Sequence, residues 1–288
     1  MPVQIEMKNV RLHAADGVVL AVQSLRGEMV STVKGRVPVF DDQHSYVLHV
    51  SSAELAMDMA SLTSLMNDHV FAYAGAPLTH LTVTADEDRL AMKGTLHKGI
   101  PLPFSSKATI EALPGGRLRL HTEKVSALGL PATKLLDVFD LKLQDLIALE
   151  NRRAISIAGD DIILTPGQVL PPPEIRGHLA RVRLSGGQLL LTYAPPSGPA
   201  AVPLTPADPK ARGYVYFSGS SIRFGKLTMS GSDLQLIDAD ERDPFDFFPA
   251  RYQRQLVAGY SKSTEQGGLT TYMPDYDDVG RVKDLRPK

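Results

Sequence analysis

Hydrophobic and polar positions alternate along most of the chain. Tyr46, Leu48 and Val50 alternate with Val47, His49 and Ser51, the period of two expected of a half-buried strand. Val18 to Val22 and Val37 to Phe40 read as short strands around Gly27 and Gly35. Leu81 to Thr84 alternates, Asp86-Glu87-Asp88 turns, and Leu90, Met92, Gly94 and Leu96 alternate in return, which predicts a hairpin. Phe104, Ser106, Ala108, Ile110 and Ala112 continue the pattern, Pro114-Gly115-Gly116 turns, and Leu118 and Leu120 follow. The spacing predicts an antiparallel meander over this region. Ile155 and Ile157, Ile162 and Leu164, and Ala180, Val182 and Leu184 before Leu189-Leu190-Leu191 add further strands.

Two stretches change period. Ser51 with Glu54 three residues on has the form of a capping box. Behind it, Leu55, Met59, Leu62 and Met66 are spaced four, three and four. That spacing predicts one face of a helix of about 17–20 residues. A second helix is expected from Pro131, with Leu135, Leu136, Val138, Phe139, Leu143, Leu146 and Ile147 as its stripe. Helices among antiparallel strands make the expected class α+β.

Between positions 195 and 213 lie six prolines, which read as a linker. The expected organisation is a first domain over 1–195, a linker over 196–213 and a β-rich extension over 214–288. Six of the nine tyrosines fall in that extension, together with Phe245, Phe247 and Phe248. The extension is expected to pack on or cap the first domain, and it is the place where a protein partner would be met.

Composition narrows the classes. With 288 residues, 43% hydrophobic and 22% charged, the chain can bury a real core. It has no cysteine, which removes disulfides, thiolate nucleophiles and thiolate metal sites. The 31 basic and 32 acidic residues leave a formal charge of −1, against the basic field a general nucleic-acid binder needs. The first twenty residues carry Glu6, Lys8, Arg11 and Asp16, so no secretory signal is read there.

Catalytic motifs are missing from the sequence. It has no nucleophile elbow, P-loop or dinucleotide fingerprint. The eight histidines are scattered singly, which gives no support for a metal site. Asp238 to Asp243 is acidic enough to raise calcium as a reading, but lacks the EF-hand spacing and reads better as a solvated turn. Arg152, Arg153, Arg176, Arg181 and Arg183 form a locally basic stretch that raises anionic lipid head groups as a reading, but Arg181 and Arg183 read better as the wet face of a strand. The expectation is a protein that is not an enzyme and that uses no cofactor or metal.

One resemblance adds to this. The order Val50-Ser51-Ser52-Ala53-Glu54-Leu55, a helix to Asn67-Asp68-His69-Val70, Pro77 to Val83, and Asp88 to Thr95 resembles the TULIP superfamily of tubular lipid-binding domains, in its bacterial LmeA-like branch. Gly116 to Leu120 and Val125 to Pro131 extend the likeness, which covers residues 1–193. It implies a highly curved antiparallel sheet wrapped around one or two long helices. It further implies a channel for a phospholipid or fatty acid, with peripheral membrane contact. The lipid-binding candidates are Leu55, Met59, Leu62 and Met66 on the first helix, and Leu135, Leu136, Phe139 and Leu143 on the second. The bacterial relatives favour the cell envelope or periplasm, whereas a native start at Met1 favours the cytoplasm. The alternative function is a structural or protein-interaction module of the envelope with a filled core.

Overall fold

A computed structural model describes residues 2–98, 100–127, 130–131, 155–158, 161–194, 204–240, 242–281 and 285. The first strands are β1 (Val3–Ala15), β2 (Val18–Ser31) and β3 (Tyr46–Asp58). Helix α1 (Met59–Leu65) follows and runs on as a π turn, Met66–Val70. Then come β4 (Leu78–Asp86), β5 (Arg89–Lys98), β6 (Ile100–Leu113), β7 (Arg117–Ala127), β8 (Leu130–Pro131), β9 (Ile155–Ala158) and β10 (Asp161–Leu164). The one-turn helix α2 (Pro166–Val169) precedes β11 (Glu174–Gly177), β12 (Leu179–Ser185) and β13 (Gln188–Tyr193). The last part holds β14 (Tyr214–Gly219), β15 (Ile222–Phe224), β16 (Leu227–Met229), β17 (Asp233–Asp238), β18 (Phe245–Phe247), α3 (Tyr252–Ala258), β19 (Tyr260–Ser263) and β20 (Leu269–Met273).

The fold is mostly sheet, and this corrects the expected α+β architecture of a curved sheet around long helices. Among the described residues the longest helical run is Met59 to Val70. The region read as one helix from Ser51 is strand as far as Asp58. Ala53, Leu55 and Met57 are buried while Glu54 and Asp58 are exposed, a period of two that coexists with the helical spacing. The capping box at Ser51 therefore does not form. Asp58 caps the helix instead, its Oδ1 accepting the Ser61 N–H at 2.7 Å. The second expected helix lies outside the described residues.

The chain divides into two compact units, each discontinuous in sequence. Unit 1 comprises Met1–Ala56, Pro172–His178 and Thr192–Lys288. Its strand order is β3-β2-β1-β14-β17-β20-β19, with β11 parallel to β3 and β18 parallel to β1. β14 pairs antiparallel to β1, with Ile5 opposite Phe217 and Met7 opposite Val215, so the segment after the proline-rich stretch continues the sheet begun at the N-terminus. Tyr214, Val215, Tyr216 and Phe217 are all buried, as in a central strand covered on both faces. β2 meets β3 closely at Gly27, where any Cβ would stand 2.3 Å from the His49 carbonyl oxygen. Glycine alone lets the two backbones approach there.

Unit 2 comprises Met57–Pro171 and Leu179–Leu191. Its sheet runs β4-β5-β6-β7-β10-β9, with β8 against β7. The antiparallel meander expected over residues 81–120 is present as β4 to β7. The β12–β13 hairpin turns at Gly186 and Gly187, both with positive φ, a conformation glycine adopts without a Cβ clash.

Candidate functional site

The cavity of unit 2 is built by the period of two. Side chains two apart on a strand share a face, and cross-strand partners extend that face sideways. Val83 on β4 lies opposite Met92 on β5, and Leu90 follows Met92 on the same side. Ile110 on β6 lies opposite Leu120 on β7, and Leu118 on β7 lies opposite Leu164 on β10. All of these side chains line one cavity.

Helix α1 closes another wall. Leu62, Leu65 and Met66 recur at three and four residues, so they share one helix face, and all three line the cavity. Two polar side chains on α1 and its π turn fasten that wall to the edge strand β4. The Thr63 Oγ1 accepts the Val83 N–H at 3.0 Å. The Asn67 Oδ1 accepts the Leu81 N–H at 2.9 Å, and its Nδ2 donates to the Leu81 carbonyl at 2.8 Å. These bonds satisfy backbone groups that a further strand would otherwise take. Met57, the segment at Pro166, Val169 and Leu170, and Leu189 and Leu191 of β13 complete the lining.

The cavity measures about 90 Å³, and the sixteen described residues that line it are all apolar. One water needs only about 10–15 Å³ of such space, but it also needs two to four polar partners. The lining offers none, so hydrocarbon suits the cavity better than water. Among the described residues the wall has no aromatic ring, and it includes Met57, Met66 and Met92, whose flexible thioethers adapt to an occupant's shape. Among the described residues it carries no acid, base or nucleophile.

Of the candidates named from sequence, Leu62 and Met66 come together at this cavity. Met59 opens α1 half-buried and is not in the lining. Leu55 is buried in β3 within unit 1. Leu135, Leu136, Phe139 and Leu143 lie outside the described residues. The strand-borne wall was missed, although its signal was the alternation of the meander itself. Alternation marks an apolar face without telling whether that face is filled.

Polar clusters occur in unit 1. The carboxylates of Asp238, Asp243 and Asp275 approach within 4.8 Å of one another. Burial, with Asp238, Asp243 and Asp240 nearby, pushes the Asp275 carboxyl up to about 7 although it accepts the Asp246 N–H. The group therefore holds a proton below neutral pH. His13 Nε2 meets Asp246 Oδ1 at 2.5 Å, and its ring stacks on Phe248 at 5.1 Å.

The chain matches no protein-family model, no curated protein and no solved structure.

Proposed function

We propose that this protein binds a long apolar ligand, the acyl chain of a phospholipid or fatty acid, in the cavity of unit 2. The observation that carries the reading is the wholly apolar lining contributed by α1, by strands β4 to β7, and by β10 and β13. Each methylene moved from water into such a wall contributes about 0.8 kcal/mol before ordering costs. Affinity would thus grow with chain length. Because the described residues of the lining supply no reactive group, the reading is one of binding or carriage, without chemistry on the ligand.

Native mass spectrometry of the purified protein, followed by organic extraction, tests this. The expected result is a co-purified lipid, or uptake of added fatty acid, that is lost in the cavity-filling variant Leu62→Trp while the fold is retained. A clean unliganded mass with no uptake of fatty acid or lysophospholipid would overturn it. That outcome would favour a filled-core interaction module.

A further inference from the structure

In unit 1, three surface segments are tied together at one side chain. Asp41 Oδ2 accepts the Gly225 N–H from the β15–β16 turn. Its Oδ1 accepts the Tyr252 hydroxyl at 3.1 Å and the Gln253 amide at 2.8 Å from α3. The loop before Asp41 joins the same hairpin, because the Arg223 N–H donates to the Pro38 carbonyl and the Phe40 N–H to the Arg223 carbonyl. Beneath them Phe40, Phe224 and Tyr252 pack ring against ring, with centroids 4.8 to 5.9 Å apart. The segments thus sit on a packed aromatic base.

Apart from Val30 near the end of β2, every large hydrophobic side chain that is exposed among the described residues belongs to these three segments. Val33 is 52% exposed in the loop, together with Val37. Leu227 is 54% exposed beside the hairpin turn, and Val257 is 86% exposed on α3 beside Leu256. Leu256 and Val257 lie three and four residues after Gln253, so they share the helix face that reaches Asp41.

Cations are interleaved with them. Lys34, Arg36, Arg223, Lys226 and Arg254 are all exposed, while the same segments carry two acids, Asp41 and Asp42. Elsewhere in unit 1, Arg26, Arg176 and Arg251 are ion-paired with Glu6, Glu174 and Asp16. Among the described residues these five cations have no such partner.

We propose that this patch docks unit 1 on an anionic lipid surface, with Val33, Leu227 and Val257 entering the interface and the five cations meeting head groups. Charge decides the occupant. A second copy of the same surface would set five cations against five, which disfavours self-association. A protein-binding centre is enriched in aromatic anchors, whereas these tips are aliphatic and stand on three separate segments, a loop, a hairpin and a helix. Aliphatic tips among lysines and arginines match the layered chemistry of a bilayer interface. The proposal does not depend on the cavity of unit 2.

The test is flotation of the full chain with phosphatidylcholine vesicles and with mixed phosphatidylcholine–phosphatidylglycerol vesicles. Binding is expected on the mixed vesicles only, and it should weaken as salt shortens the electrostatic range below about 8 Å. The triple variant Val33→Asp, Leu227→Asp, Val257→Asp should lose at least about tenfold in partitioning with an unchanged melting temperature, since all three sites are exposed. The cavity-filling Leu62→Trp should bind vesicles like the parent, which separates this result from the cavity reading. No binding to the mixed vesicles, or equal binding by the triple variant, would overturn the proposal. So would concentration-dependent self-association that the triple variant abolishes.

Discussion

Asn67 grips Leu81 by both of its backbone groups, accepting the Leu81 N–H at 2.9 Å and donating to the Leu81 carbonyl at 2.8 Å. A single side-chain amide thus acts as one residue of a strand at the edge of the unit 2 sheet. Its Nδ2 also reaches the Thr63 carbonyl one turn back at 3.1 Å, so the amide links helix to sheet. Asn67→Ala would leave these half-buried groups without partners and is expected to cost about 1–3 kcal/mol. Asn67→Asp keeps the acceptor for the Leu81 N–H but sets oxygen against the Leu81 carbonyl, so it should not restore the loss. Urea titration of the three proteins measures the differences.

Leu65 sits deepest in the helical wall of the cavity, at 4% exposure. Leu65→Ala should destabilise the protein by about 2–5 kcal/mol, through lost burial and an enlarged void. A ligand that fills the cavity should offset part of that loss. At a hundredfold excess over its Kd, a fatty acid that binds only the folded state adds about 2.7 kcal/mol. Thermal melts of parent and variant with fatty acids of rising chain length check both statements.

Asp275 gives unit 1 a pH dependence of definite sign. Burial, with the carboxylates around it, lifts its folded pKa to about 7, against 3.8 for the ordinary group. The folded state therefore binds more protons than the unfolded state between these values. Its contribution to stability is complete below pH 3.8 and is lost as pH rises toward 7. Asp275→Asn keeps an acceptor for the Asp246 N–H and carries no charge. The melting temperature of the variant minus that of the parent should rise across this interval and level off above it.

Asp41 behaves in the opposite way. Burial works against its charge, but hydrogen bonds from Gly225, Gln253 and Tyr252 outweigh that and hold its carboxyl below the usual range. Its contribution to stability is present above the unfolded pKa and is lost as pH falls through the folded value. Asp41→Ala is therefore expected to lower the melting temperature at neutral pH and to have less effect in acid. It should also loosen the loop at Val33 and the β15–β16 turn, seen as faster amide exchange at Gly225.

The meander was legible because its alternation and its turns agree. Leu90, Met92 and Leu96 alternate between an acidic turn and a proline-flanked one, and the strands fall where the pattern places them. The stretch from Ser51 to Met66 carried two periods at once. Leu55, Met59, Leu62 and Met66 are spaced as a helix, while Ala53, Leu55 and Met57 are spaced as a strand. The strand wins as far as Asp58, in a sheet where β2 neighbours β3 and Gly27 opens the approach to His49. The helix wins afterwards, capped by Asp58 and held to β4 by Thr63 and Asn67. Leu62 and Met66 therefore reach the cavity, and Leu55 and Met59 do not line it.

By itself the sequence determined which side chains turn inward along β4 to β7, since a period of two is a local property of the backbone. It also determined the near-neutral charge and the lack of thiol chemistry. Only the tertiary structure decided that Tyr214 to Gly219 lies beside Val3 to Lys8, more than two hundred residues away in the chain. The same holds for the union of Val83, Leu118, Leu164 and Leu191 around one space, and for Asp41 joining a loop, a hairpin and a helix. Local periodicity sets which way a side chain points, whereas the meeting of distant side chains depends on strand pairing and close packing across the whole chain.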